Sequence, residues 1–179
     1  MARRLVPVLL ALLALALPLA ACGADEGDVD VAEGEPIVVD DVSYNVVISR
    51  FLNPDDEEDS AYVEGQPEPE PGELYFGVFM QIQNDGDEEV QLPADMNVVD
   101  TLDNSYSPIE SHSPFALPLG GEVLAAHDMV PVPNSIAADG PTQGSLVLFL
   151  LDQESTENRP LELELPLPDG ETGVIELDI

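Results

Sequence analysis

Lysine and tryptophan are missing from this chain of 179 residues, and only one cysteine is present. Lysine and arginine together number four against 37 acidic residues, for a formal net charge of −33. Nucleic acid is bound largely by cations that neutralise its phosphates, so a surface of this sign excludes it as a partner. The same charge repels itself, most strongly at low salt, where the repulsion acts over ~30 Å before it is screened. A single cysteine excludes an internal disulfide, so the fold rests on its core. No Gly-x-Ser-x-Gly elbow, no His-Glu-x-x-His pair and no phosphate loop occur, which removes the common hydrolase, zinc-protease and nucleotide sites. After residue 22 no stretch repeats its apolar residues at a helical period; at most 134–139 could form one turn.

What is present begins with a polar-apolar sequence of order. Arg3 and Arg4 precede an apolar run, 5–19, too short to span a bilayer comfortably as a lasting helix. The run ends in Leu19, Ala20, Ala21 and Cys22. This arrangement resembles the signal and lipobox of bacterial lipoproteins. The resemblance implies that 1–21 is removed and that Cys22 carries a diacylglycerol and fatty acyl anchor. It places the rest outside the cytoplasm, held to the cell membrane at the surface or in a periplasm, with the membrane as one partner. Removing 21 of 179 residues leaves 158, enough for one domain with a core. Both signal arginines leave too, so Arg50 and Arg159 remain against 37 acids, a net of −35. Residues 22–35 are small and acidic and read as a solvated tether.

From residue 36 to 179 the chain is built of short β-branched and aromatic runs between turn signals. Strands are expected at 36–39, 44–51, 74–84, 90–92, 96–102, 106–109, 114–119, 122–124, 144–151, 161–167 and 173–179. In 44–51, strict alternation places Tyr44, Val46 and Ile48 on one face and Val47, Ser49 and Phe51 on the other. The strongest run is 74–84, with Phe76, Val78, Met80 and Ile82 on one side. The segment 53–73, with its Pro-Glu-Pro-Glu-Pro centre, reads as a stiff surface loop. So many strands without helical crossovers predict an all-β, antiparallel sandwich of two sheets. The stretch 75–109, with Asn84, Asn104 and Tyr106 around its turns, and the late Gly144-Ser145-Leu146-Val147-Leu148-Phe149 strand resemble immunoglobulin-like domains of bacterial surface lipoproteins, of the DUF4352 or MPT63-like kind. That resemblance implies a fold and no catalytic residue.

Candidate chemistry is thin. His127-Asp128-Met129 is a His-x-Met element, and with His112 it offers the soft ligands that suit Cu(I). Acidic clusters at 55–59 and 85–89 offer oxygens for calcium, without EF-hand spacing. Ser111 and Ser113 flank His112, but adjacency alone does not orient a nucleophile. Arg50 and Arg159 are each expected to pair with carboxylates. The expectation is therefore a non-catalytic binding or interaction module with no cofactor beyond its lipid. An envelope or surface protein is its partner, and recognition falls in 53–73 and 112–139. The alternatives are a metal-handling lipoprotein, using copper or calcium, and a structural envelope component.

Overall fold

The structure, a computed structural model, describes residues 28–179. The signal, Leu19, Ala20, Ala21 and Cys22 lie outside the described residues. In chain order the strands are β1 (Asp28–Ala32), β2 (Ile37–Val39), β3 (Val42–Leu52), β4 (Glu73–Asn84), β5 (Val90–Gln91) and β6 (Asn97–Val99). They continue with β7 (Ser105–Tyr106), β8 (Val123–Leu124), β9 (Met129–Val130), β10 (Ser145–Asp152), β11 (Leu161–Pro166) and β12 (Thr172–Leu177). The one α-helical turn among the described residues, α1 (Ile136–Asp139), is capped by the Ser135 hydroxyl, which accepts from the Ala138 amide. The first sheet runs β10-β4-β3-β2 and the second β1-β12-β11-β6-β7; β5 and β8 pair separately.

The two sheets close on one another as a β-sandwich, the fold expected from the alternation. Phe76, Val78, Met80 and Ile82 of β4 face Leu161, Leu163 and Leu165 of β11 and Ile175 and Leu177 of β12, all nearly inaccessible to solvent. The alternate residues of β11, Glu162 and Glu164, point outward, so its period-two pattern was a faithful guide.

Four expectations are corrected. First, a β-bulge in β3 puts Val47 out of register: Val46 opposes Met80 while Ile48 opposes Phe79. The inserted residue flips the phase, so Ile48 is exposed whereas Ser49 is buried and Phe51 packs on Phe76. Second, part of the expected tether is a strand. β1 pairs with β12 in parallel, with Val29 and Val31 packed on the core and Asp30 outward. Third, the loop 53–72 is not merely surface. It drops Tyr62 and Val63 onto the outer face of β4 and β10, building a second core with Leu52, Tyr75, Phe79, Leu146 and Leu148. Gly77 makes room there, since a Cβ would lie 3.0 Å from both Leu52 and Leu146. Fourth, 114–119 forms no strand beyond a single bridge from Ala116 to Leu146, and β6 stops at Val99 because Asp100 folds the chain into a turn.

β9 has no counterpart in the sequence reading. Val130 opposes Ile82 and Ser145 opposes Met80. A two-residue step along β4 is therefore bridged on the other side by the whole excursion 131–144, which leaves the line of one strand and returns to it. Gly144 permits the return, because a Cβ there would approach the Phe79 backbone to 3.1 Å.

Candidate functional site

A concavity of about 640 Å³ opens at the edge of the sandwich between β6 and β10. Its construction follows from how the chain changes sheets. After β7 the chain crosses through Ser107 and Pro108 to the other sheet, where the Ile109 amide donates to the Leu148 carbonyl at 2.8 Å. It then loops out and returns, with the Leu117 amide donating to Leu146 and the Leu146 amide to Phe115, each at 2.7 Å. These bonds cover the open edge of β10, a place where an unprotected strand would invite aggregation. The groove is what remains between this strap and the segment leading into β6. Partly exposed Pro108, Ile109, Ala116 and Leu119 make an apolar floor over buried Met96, Leu117, Leu146 and Leu148, while Asp95 and Glu110 stand exposed on the rim. An apolar floor with a few polar rim groups, at this volume, is the usual form of a binding site.

Elsewhere the polar side chains have structural work. Asp100, 4% exposed, accepts from the Leu102 and Asn104 amides, the Asn104 and Asn158 side chains and the Ser155 hydroxyl, at 2.8 to 3.1 Å. Burial by itself raises its pKa, but these donors outweigh burial and hold the carboxyl well below the usual range. The node ties the turn after β6 to the 3-10 turn Gln153–Thr156. Arg50 is paired as expected: its guanidinium lies 2.5 Å from Asp59 and 5.5 Å from the centre of the Tyr62 ring. Arg159 is not paired with a side-chain carboxylate; it donates to the backbone carbonyls of Thr156 and Ile179.

The outer face of the second sheet is acidic. Glu162 sits directly opposite Glu176, with Glu164 and Asp30 either side of Val174. Partial burial, then Asp30, Glu164 and Glu176, push the Glu162 carboxyl upward. Like charges facing across strands weaken a sheet.

The expected metal ligands have separate neighbours. His112 is exposed beside Gly65 in the strap. His127 is exposed at the opposite end of β4 and lies 3.3 Å from Asp87. Met129 pairs with Gln83 in β9, and Met80 and Met96 are core. Among the described residues no three or more His, Cys, Asp and Glu side chains gather as a metal centre. Of the two loops expected to carry recognition, 112–139 contributes one wall of the groove and 53–73 contributes none. Of the other walls, 96–97 and 107–109 fall within runs expected as strands; β6 keeps Asn97, while 107–111 is a crossing loop that only Pro108 marks in the sequence.

The structure defines a two-sheet β-sandwich with an edge groove. No family model matches the chain, and no curated protein does. Solved structures share the fold. The yjhA protein of Bacillus subtilis aligns at a TM-score of 0.51 and 12% identity, covering 84% of this chain and 99% of its own. The secreted protein MPT63 of Mycobacterium tuberculosis aligns at 0.50 and 11%, covering 83% and 97%. A β-sandwich protein of Clostridium difficile aligns at 0.49 and 15%, covering 84% and 95%.

Proposed function

We propose that this chain is an extracytoplasmic, lipid-anchored and non-catalytic binding module that takes a cationic, apolar-anchored segment of an envelope or surface protein into its edge groove. The groove itself carries the reading. Its floor offers contiguous apolar side chains, its rim bears Asp95 and Glu110, and the mature chain has two cations against 37 acids. A partner segment alternating apolar and basic residues would satisfy both, one period facing the floor and the other the rim. The anchor rests on Leu19, Ala20, Ala21 and Cys22 in the sequence.

The test is a titration of residues 23–179 with an alternating Leu-Lys hexapeptide at physiological salt, followed by amide chemical shifts. Expected are shifts confined to 94–97, 107–111 and 116–120, and their loss in Ala94→Trp, which fills the mouth. Identical shifts with a Ser-Lys hexapeptide would reduce the effect to surface charge and defeat the groove.

A further inference from the structure

We infer that the end of the sandwich where β4 finishes is a membrane-contact surface, lying on the bilayer while the opposite end points away. The inference rests on the lipid-anchor reading above and follows from where β1 begins. Because β1 takes 28–32 into the second sheet, only residues 23–27 separate it from Cys22. Six Cα steps reach at most about 22 Å.

Asp28 opposes Thr172, just after the turn closed by the Leu167 amide donating to Glu171. Ile37 of β2 packs at this same level, since a Cβ on Gly173 would lie 2.8 Å from it. Ile37 opposes Tyr44, and Val42 opposes Asn84. The anchor thus enters at the Asn84 end of β4. The other end, with the turn of Asp100 and the 3-10 turn Gln153–Thr156, stands off by the length of β4, whose 12 residues span about 40 Å. The leash is too short to let that end meet the bilayer unless the domain lies flat. Lying on the second sheet would press Asp30, Glu162, Glu164 and Glu176 toward the headgroups.

A second observation agrees. Among the described residues, two of the six large apolar side chains left exposed, Val38 and Val123, belong to this end. Val38 opposes Ser43, which opposes Gln83. Val123 sits beside Leu124, whose carbonyl accepts from the Asn84 side chain. Asp85, Asp87, Glu88 and Glu89 share the end, so the surface suits neutral or zwitterionic headgroups and is pushed off anionic ones.

The acylated protein is placed on phosphatidylcholine vesicles that carry a headgroup acceptor dye. Acylation consumes Cys22, so a cysteine introduced by Glu88→Cys or Glu154→Cys is the sole thiol for a donor dye. Transfer from the Glu88→Cys label is expected to exceed that from the Glu154→Cys label several-fold. Equal or reversed transfer in protein shown by mass to carry its acyl chains overturns the orientation alone. A Cys22 peptide without acyl mass overturns the anchor, and this inference with it.

Discussion

Asp100 shows how one carboxylate closes a turn. Five donors converge on it, and with Asp100→Asn two or more would face an amide of the wrong polarity. The expected loss is on the order of 2–3 kcal/mol at neutral pH. Because the folded carboxyl is depressed, its contribution is complete above about pH 4, where an unfolded aspartate is ionised, and falls away as pH drops through the folded value. Urea denaturation at several pH values should show the gap between wild type and Asp100→Asn closing below about pH 4; a gap that ignores pH would mean the carboxylate is not held ionised. The two arginines should also separate. Arg50→Ala strands Asp59, whose side chain is 8% exposed, and uncovers Tyr62, at a cost of about 2 kcal/mol and a fall in melting temperature of about 4–8 °C. Arg159→Ala loses only exposed bonds to two carbonyls and should move the melt by under about 2 °C. Equal shifts would contradict the difference in their partners.

At the scale of elements, the acidic, proline-rich loop 53–72 behaves as a lid over β4 and β10. Tyr62 is 1% exposed and meets Phe79 and Phe115 edge-on, at 4.9 and 4.8 Å between ring centres. Tyr62→Ala should therefore cost about 3–4 kcal/mol, as for a core aromatic, and should expose the loop to protease before the sheets unfold. A change within about 0.5 kcal/mol, the usual effect of a surface substitution, would return the loop to the status its composition suggests. Its sequence hid this role because Tyr62 and Val63 are two apolar residues among charges. Neither has a periodic partner, and the surface they meet lies on a strand ten or more residues away. The β3 bulge was hidden for a related reason. Val46, Val47 and Ile48 are all β-branched or apolar, so nothing local says which of them is the extra residue; the choice belongs to the pairing with β4.

For the whole molecule, charge is the dominant condition. With two cations against 37 acids in residues 22–179, screening should stabilise the compact state. Raising NaCl from about 10 mM to about 150 mM shortens the Debye length from ~30 to ~8 Å and should raise the melting temperature by several degrees. At matched ionic strength, Ca²⁺ and Cu⁺ are expected to add nothing, since among the described residues no three acidic or His side chains converge for Ca²⁺ and His112 and His127 keep different neighbours for Cu⁺. A Cu⁺-specific rise that vanishes on substituting His112, His127 and Met129 would instead establish a metal site, because a native-state ligand stabilises in proportion to its binding.

The division between what the residues foretold and what folding decided runs along the distance over which each is determined. Alternation in 74–84 and 161–167 and the continuous apolar run 144–151, with turn residues between, were enough to specify strands and a two-sheet sandwich, because side-chain period and backbone geometry are set within a few residues. The charge balance likewise belonged to the sequence. Tertiary structure alone decided that β1 joins β12 in parallel, that β3 shifts phase at Val47, and that Tyr62 closes a second core. It also decided that three segments distant in sequence enclose the groove. Each depends on which remote surface a segment meets, and the free energy of that meeting is written in neither segment by itself.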